Sequence, residues 1–392
     1  MATVTTPSQA DQVAMMRAQN MMARQAIVNR AAEFTQQIYS NSFKVNQDVQ
    51  GTIVNIIPRN VGLVLGFTVR VDMDVVVPAG VTLTRTPYGA MNLLSRVEFI
   101  DLSNFQRIQT SGWHLAIVNS ARYRRVVGSA FVTDSPTGMG STRDVGINVP
   151  ATIAASTTQR ISFVYDVPLA YSRDDLRGAI YAAVVSASMA LNLTINPAIV
   201  TTGTDATGSV YSATGAGTIV QNAKVTCYQR FYEQLPGNSA TGGPLLPFQD
   251  LSTTYQLQQT SLTGLAPAQD FPIPFSNFRQ FLSTTLIYDN GGVLNPGNDV
   301  NYVAMQTANT TTFSKKEPWL LQYENRNAMH DDLPLGVFHL DHRRRPVDTA
   351  VYGNQSILVN PITVANGAQI LVGWESMAMQ AIVSASGSLA AG

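Results

Sequence analysis

Three of the four histidines of this chain lie close together in its C-terminal part, with carboxylates among them. The set comprises His330, Asp331, Asp332, His339, Asp341 and His342. Imidazole and carboxylate groups are protein ligands of zinc and iron, so such a set could hold a metal. However, His339 and His342 are three positions apart, which places their rings on opposite faces of a strand. The spacing therefore favours a polar loop over a metal site.

The densest charge in the sequence follows directly, in Arg343, Arg344 and Arg345. Guanidinium groups bind phosphate well, whether the phosphate belongs to a lipid headgroup or to nucleic acid. Asp341 and Asp348 flank the triplet and would compete for it. We therefore predict a loop that is solvated or paired at an interface.

Two pairs of neighbouring carboxylates, Asp174-Asp175 and Asp331-Asp332, are the remaining candidates for acid–base chemistry. Adjacent side chains rarely face each other across a substrate, and glycosidase carboxylates lie about 5 to 9 Å apart across a cleft. Asp174 and Asp175 precede Leu176 in a pattern typical of a helix N-terminus. The sequence contains no Gly-x-Ser-x-Gly motif and no phosphate-binding glycine loop. We predict that the chain is not an enzyme and binds neither a metal nor another cofactor.

The composition indicates two domains with a weakly charged surface. The chain has 392 residues, more than one hydrophobic core normally serves. Charged residues make up 13% of it, against a usual share of ~25%. Thr, Ser, Asn and Gln must therefore supply much of the polar surface, which suits packing against neighbours and equally suits a Thr-rich β-protein. The formal net charge is zero, so we predict no direct sequence-specific contact with nucleic acid, which attracts basic surfaces.

One long helix is predicted near the N-terminus, over residues 8–34. Ser8 can cap it, and Ala, Met, Gln and Arg dominate its interior. Its apolar residues recur at steps of three, four or seven and form one stripe, composed of Val13, Met16, Ala23, Ile27, Ala31, Phe34 and Ile38. Asn20 is the only polar residue on this stripe. The helix precedes a β-rich body and is interpreted as an arm, which the body should not need for its core.

Beyond the arm, the period of the apolar residues changes to two. From residue 63 to residue 77 every odd position is apolar, whereas Gly66, Thr68, Arg70, Asp72 and Asp74 lie at even positions. Such alternation is typical of a half-buried strand. Further strands are predicted at 160–167, 189–195, 223–231, 278–289, 336–340, 355–359 and 369–377, and a helix at 318–329. Many short strands and long loops indicate antiparallel sandwiches of jelly-roll or related type.

A loose repeat and a linker divide this β-rich body. Residues 97–101 form an apolar run that ends in Asp at a polar turn, and 113–119 form a second apolar segment. The same succession recurs at 285–289 and 300–306, which suggests two copies of one β domain. Pro and Gly are concentrated just after residue 235, as is typical of a linker. The predicted division is an arm at 1–42, a first domain at 43–235, a linker at 236–246, a second domain at 247–384 and a flexible tail at 385–392.

Several short strings, in the same order along nearly the whole chain, resemble the major capsid protein of tectiviruses. They are TSGWHL (110–115), VTDSP (132–136), PATIAA (150–155), VPLAYS (167–172), DLST (250–253), YDNGG (288–292), TAN (307–309) and VNP (359–361). Tectiviruses are tailless icosahedral bacteriophages with a membrane inside the protein shell. The resemblance implies an all-β fold of two jelly-roll domains in tandem, each an antiparallel β-sandwich, with an N-terminal α-helical arm.

The same resemblance implies that the chain is a virion shell protein, synthesised in the host cytoplasm. Three chains would form a pseudo-hexagonal homotrimer, because each chain supplies two barrels. Trimers would then tile an icosahedral capsid around an internal lipid membrane. The implied partners are other copies of the chain, vertex and minor capsid proteins, and the viral membrane on the inner face.

The N-terminal helix of the family lies on the inner side of the shell, close to this membrane. Met16, Arg17, Arg24, Ile27 and Arg30 are therefore expected to face the membrane, since an apolar stripe with cations suits anionic headgroups. Packing of the stripe under the protein's own barrels is an equal alternative.

A function from another class is the alternative to the shell. In it, the chain would be a jelly-roll metalloenzyme or a carbohydrate-binding module that uses the region from His330 to His342. Metal analysis of the purified protein would separate a metalloenzyme from a shell protein.

Overall fold

The computed structural model describes residues 8–44, 52–86, 89–123, 148–183, 187–201, 208–214, 219–238, 242–292, 299–307, 311–329, 333, 336–352 and 354–379. The helices in this part of the chain are α1 (Gln9–Arg30), α2 (Gly112–Tyr123), α3 (Phe248–Leu251), α4 (Pro318–Met329) and α5 (Thr349–Tyr352). The strands are β1 (Ala32–Lys44), β2 (Thr52–Ile56), β3 (Leu63–Val76), β4 (Leu83–Arg85), β5 (Leu94–Ile100), β6 (Gln106–Thr110), β7 (Thr152–Ile153), β8 (Thr158–Pro168), β9 (Ile180–Tyr181), β10 (Ala190–Ile195), β11 (Val200–Thr201), β12 (Tyr211–Ala213), β13 (Ile219–Glu233), β14 (Thr253–Leu262), β15 (Phe271–Pro274), β16 (Gln280–Asp289), β17 (Val300–Thr307), β18 (Thr311–Lys316), β19 (Val337–Asp341), β20 (Val347–Asp348), β21 (Gln355–Pro361) and β22 (Gln369–Met379).

Two antiparallel sheets face each other in the first half of the chain. One sheet has the strand order β1-β13-β3-β8, with β9 also paired to β3. The opposing strands are β6, β5, β10 and β2, in that order. Both sheets contribute every second side chain to the apolar core between them, among them Phe67 and Val225 from one sheet and Phe99 and Leu191 from the other. This is the first sandwich.

A second sandwich follows after the segment 236–246. Its sheets are β15-β21-β17-β18 on one side and β19-β16-β22-β14 on the other. Its core contains Phe281, Phe338, Ile357 and Val372. A body of two β-sandwiches preceded by one long helix agrees with the fold class that the sequence predicts.

The two sandwiches share one sheet. β14 pairs in parallel with β6, through Leu257 opposite Ile108 and Gln258 opposite Gln109. This pairing joins the sheets in the order β19-β16-β22-β14-β6-β5-β10-β2, with β20 attached to β16. Residues in register on paired strands point to the same side of the sheet. The side that faces the first core at Ile108 therefore faces away from the second core beyond β14, where it is an outer face of the second sandwich. Helix α2 covers this outer face, since it packs against β16 and α4 of the second sandwich as well as against β5 and β8 of the first.

β3 has the predicted one-sided pattern from Phe67 onwards, where all its odd-numbered side chains are buried and Arg70 is exposed. At its start the faces are exchanged, because Val64 lies in the first core whereas Leu63 and Leu65 pack in a separate cluster with Ile27. The register of β3 with β13 is irregular at this point. The even-numbered face is more covered than the alternation predicts, since Asp72 is only 9% exposed and accepts a hydrogen bond from Arg70 Nε at 2.9 Å. The reason is that β3 lies between β13 and β8, whose side chains flank it on both sides.

The other predicted strands are present as β8, β10, β13, β16, β19, β21 and β22, and the helix predicted at 318–329 is α4. The helix N-terminus predicted at Asp174 and Asp175 is wrong, because both residues lie in a loop. Asp175 instead forms an ion pair with Arg177, with Nη2 and Oδ2 2.6 Å apart. The carboxylate therefore binds a guanidinium and not the N–H groups of a helix N-terminus.

The long helix ends earlier than predicted, so the arm predicted at 1–42 is helical only in its first part. α1 stops at Arg30, and β1 then pairs with β13 from Ala32 to Lys44. The ring of Phe34 stacks on that of Phe231, with the centroids 5.8 Å apart. A spacing of four residues is compatible with one face of a strand as well as of a helix. The long pairing with β13 outweighs the weak helix propensity of this segment.

The predicted repeat holds only in its first part. Asp101 directly follows β5 and accepts a hydrogen bond from Ser103 N at 2.8 Å in the turn. Asp289 is the last residue of β16 and accepts one from Gly292 N at 2.7 Å. The second parts differ, because 113–119 lie in α2 whereas 300–306 lie in β17. Short apolar segments have no distinctive period, so tertiary contacts decide between helix and strand.

Candidate functional site

The structure places the predicted histidine set on two sides of one sheet. Three of its members lie outside the described residues: His330, Asp331 and Asp332. His339 is buried in β19, where its Nδ1 lies 2.9 Å from the Oγ1 of Thr285. His342 follows β19 and lies next to Phe275 in the second sandwich, with ring centroids 6.2 Å apart. Among the described residues, no group of three or more His, Cys, Asp or Glu side chains could hold a metal ion.

The arginine triplet points in two directions. Arg344 and Arg345 are exposed. Arg343 turns inward, with its side chain 12% exposed and its Nη2 2.6 Å from Oε2 of Glu375. Arg343 is thus paired inside its own chain, which the prediction of a solvated or interface-paired loop did not include, whereas Arg344 and Arg345 are exposed to solvent.

Glu375 is the centre of a buried polar cluster between the two sandwiches. Its side chain is completely buried and accepts hydrogen bonds from Tyr255 Oη at 2.8 Å and Ser283 Oγ at 2.6 Å, besides that from Arg343. A buried carboxylate is tolerated only when such partners replace the lost water. We call this cluster, with three further residues of the same layer, the barrel junction; its members are His114, Tyr255, Ser283, Thr285, His339, Arg343 and Glu375.

Helix α2 closes the barrel junction from the side of the first sandwich. His114 is completely buried, and its Nδ1 lies 2.6 Å from Thr110 Oγ1. Its ring lies against the backbone of Gly373, where an added Cβ would meet ring atoms at 2.3 to 2.6 Å. Only glycine leaves room for the ring at this distance. At the other end of α2, the Arg122 guanidinium lies 5.0 Å from the ring centre of Tyr255 and donates to its hydroxyl at 3.2 Å.

The charges of the barrel junction are set by burial and by their partners. Burial lowers the pKa of His114 to about 4, against a weaker opposing effect of Glu375. Burial and the charge of Arg343 hold the pKa of His339 well below its usual range. Burial alone would raise the pKa of Glu375, but Arg343, Arg122 and the hydrogen bonds outweigh it and hold the pKa below the ordinary value. At neutral pH the junction therefore holds an ionised Glu375–Arg343 pair and neutral imidazoles.

Most members of the barrel junction were not predicted from the sequence. Glu375 lies on the same face of β22 as Leu371 and Met377, which pack against the first core. An acid between apolar residues on one face of a strand is a signal of a buried pair. Its partners cannot be found from spacing, because Tyr255 and Arg343 come from other strands and loops. The need for glycine at position 373 likewise becomes clear only from the packing of α2, whose His114 ring lies against it.

The C-terminal half of α1 docks on the body. Ile27 is completely buried in an apolar cluster that includes Tyr232. Arg24 binds Asp250 through two hydrogen bonds of 2.6 Å, from Nε to Oδ2 and from Nη2 to Oδ1. Asn20 Nδ2 donates to the same carboxylate at 2.9 Å. Ile27 thus packs in a cluster that is separate from the cores of the two sandwiches, and the expectation that these cores do not need the helix stays a prediction.

The residues expected to face a membrane lie in two environments. Ile27 and Arg24 are occupied by these contacts with the body, as the alternative of packing under the barrels predicts. Met16, Arg17 and Arg30 are exposed. The face of α1 that points away from the body carries further exposed apolar surface, since several methionines are more than half exposed: Met15, Met21 and Met22.

Comparisons with known proteins agree with this architecture. The family model described as P3 major capsid protein N-terminal matches residues 2–235, and the model P3 major capsid protein C-terminal matches residues 252–391. The major capsid protein P3 of Enterobacteria phage PRD1 is 36% identical over 363 residues, which cover 91% of this chain and 90% of that protein.

Solved structures show the same fold. The crystal structure of the STIV MCP matches with a TM-score of 0.64 at 12% identity, over 89% of this chain and 97% of that one. The quasi-atomic model of the PBCV-1 virus capsid matches with a TM-score of 0.53 at 11% identity, over 93% and 97%. Likeness at such identities shows the fold alone, which is that of double jelly-roll capsid proteins. The two family matches and the 36% identical relative establish that the chain belongs to the P3 major capsid protein family and is a structural protein of the virion.

Proposed function

We propose that the working unit of this capsid protein is a homotrimer of pseudo-hexagonal outline, and that trimers tile an icosahedral shell around an internal lipid membrane. The observation that carries the proposal is the sheet shared through β14 and β6, which holds two sandwiches side by side in one subunit. Three such subunits closed around a three-fold axis present six barrels. In this proposal residues 43–235 and 247–384 are the two barrel domains, and vertex and minor capsid proteins complete the shell.

The surface supports assembly by burial between copies. Large apolar side chains are exposed at several places, including Ile53 (67%), Phe278 (81%) and Trp319 (63%). With only 13% charged residues, little desolvation of charge opposes their burial.

We expect the purified chain to have the mass of three subunits in native mass spectrometry. It should keep this mass on dilution to nanomolar concentration, because permanent interfaces usually bury more than ~2,000 Å². Light scattering at micromolar concentration provides an independent measurement. A folded monomer at that concentration would contradict the proposed trimer.

We propose further that the exposed face of α1 contacts the membrane on the inner face of the shell. No helix in the described ranges is long and apolar enough to cross a bilayer, so the contact would be a surface one. Exposed methionines can enter the headgroup region, and Arg17 and Arg30 can meet anionic lipid. The opposite face of α1, through the ion pair of Arg24 with Asp250, would hold the helix at a fixed place on the body.

We expect the full chain to float with vesicles that contain phosphatidylglycerol, and less with vesicles of phosphatidylcholine alone. Replacing both Arg17→Gln and Arg30→Gln should reduce flotation with the anionic vesicles several-fold, because each basic residue near the surface contributes about 1 kcal/mol. The matched control is Arg96→Gln with Arg160→Gln, two exposed arginines of the first sandwich. Equal flotation of the two double variants would show that α1 is not the membrane contact.

A further inference from the structure

The barrel junction contains two imidazoles whose protonation would be energetically costly. His114 and His339 are both buried, and the Nε2 of each has no hydrogen-bond partner. The Nδ1 of each ring lies beside a threonine hydroxyl, that of Thr110 or of Thr285. A proton added to either ring would therefore create a buried cation without an acceptor, which is costly.

The neighbouring charges do not offset this cost. The charged and titratable groups that act on His114 or His339 are Glu375 on β22, Arg343 and His342 just after β19, and, for His339, His114 itself. Glu375 attracts a cation, but its carboxylate is already engaged by Tyr255, Ser283 and Arg343. Arg343 repels a second positive charge.

Close packing leaves His114 no way to be hydrated in place. Its ring touches the Gly373 backbone on one side and lies beside Trp113, with centroids 5.6 Å apart, on α2 itself. An imidazolium at this position can reach water only if α2 moves away from β22. Burial also lowers the pKa of His342 to about 4, against a weaker opposing effect of Asp341. His342 differs from His114 in its position, because it borders a cavity of about 530 Å³ and lies next to Phe275 in the second sandwich.

We propose that the barrel junction is an acid-sensitive joint, in which protonation of His114 separates α2 from β22 and loosens the first sandwich against the second before the second sandwich's own core opens. The sign follows from linkage. The pKa of His114 is lowered to about 4 in the folded chain, below the ordinary value of about 6.5. Its contribution to stability is therefore complete above pH 6.5 and is lost as the pH falls from there towards 4.

The three tryptophans of the chain allow a direct test. Trp113 is 4% exposed at the junction, Trp319 is 63% exposed, and Trp374 lies in the second sandwich with its ring 5.2 Å from those of Phe275 and Phe281. One reporter protein carries Trp319→Phe and Trp374→Phe and leaves Trp113. A second carries Trp113→Phe and Trp319→Phe and leaves Trp374. Far-UV circular dichroism at pH 7.5 checks that both are folded.

We expect the emission of Trp113 to shift to the red on acidification, with a midpoint about half a pH unit or more above that of Trp374. In the Trp113 reporter, His114→Gln should lower that midpoint by a similar amount, because the amide cannot be protonated. The matched control is His342→Gln, which should leave the Trp113 midpoint unchanged. Coincident transitions of the two reporters, or a midpoint that His114→Gln does not move, would overturn the proposal.

Hydrogen exchange of the unmodified protein keeps the proposal testable if a variant does not fold. After correction for the intrinsic exchange rate, peptides from β6, α2 and β14 should lose protection between pH 7 and pH 5. Peptides from β17 and β21, in the core sheet of the second sandwich, should keep theirs. An equal loss in both groups would contradict an acid-sensitive joint.

Discussion

Phe67→Asp is expected to abolish folding of the chain. Phe67 is completely buried in the middle of β3 and its ring lies 5.5 Å from that of Phe99 on the opposing sheet. Removing a buried phenylalanine costs about 3 to 5 kcal/mol, and a buried carboxylate without a partner costs several kcal/mol more. The sum reaches the whole stability of an ordinary domain, about 5 to 15 kcal/mol. Soluble expression and circular dichroism measure the result.

The opposite face of β3 provides the control. Arg70→Ser removes a side chain that is about half exposed, and it should lower the free energy of unfolding by about 1 to 3 kcal/mol, because Asp72 loses a hydrogen bond. Phe67→Ala, which introduces no charge, should still fold with a clearly lowered midpoint of thermal unfolding. If Phe67→Asp yields a protein of native stability, or Arg70→Ser is equally damaging, the assignment of the two faces is wrong.

Glu375→Leu is expected to lower the free energy of unfolding by about 3 to 5 kcal/mol. This is the usual cost of removing one partner of a buried ion pair. The guanidinium of Arg343 would remain between the sandwiches without its carboxylate, and the hydroxyls of Tyr255 and Ser283 would lose their acceptor. Urea denaturation at pH 7.5 measures the change.

A second substitution identifies the cause of this loss. Adding Arg343→Met to Glu375→Leu removes the stranded charge and should recover most of the stability, though not all, since Tyr255 and Ser283 still lack their acceptor. The exposed pair of Asp74 and Arg160 is the matched control. Asp74→Asn should cost far less, because water screens such a pair. Additive effects of the two junction substitutions would show that the Glu375–Arg343 pair does not hold the sandwiches together.

Local patterns in the sequence were sufficient for much of the fold. The alternation that predicts β3 depends only on which side chains must avoid water, and it survives in the structure because one face of β3 lines the first core. The helix at Pro318–Met329 was predicted with its bounds. The order of the capsid-like strings was sufficient for the family, which the two family models and the 36% identical relative confirm.

The secondary structure of the segments that connect the two sandwiches depends on tertiary contacts. The segment of α2 is apolar and short, and it is a helix because it must cover the outer face of the second sandwich, whereas the similar segment of β17 finds strand partners. β1 is a strand because β13 offers it a long free edge. The barrel junction brings Glu375, Tyr255 and Arg343 together from distant parts of the chain. Sequence periodicity reports how one segment meets water, but pairing between buried polar groups depends on distances that exist only after the sandwiches have packed.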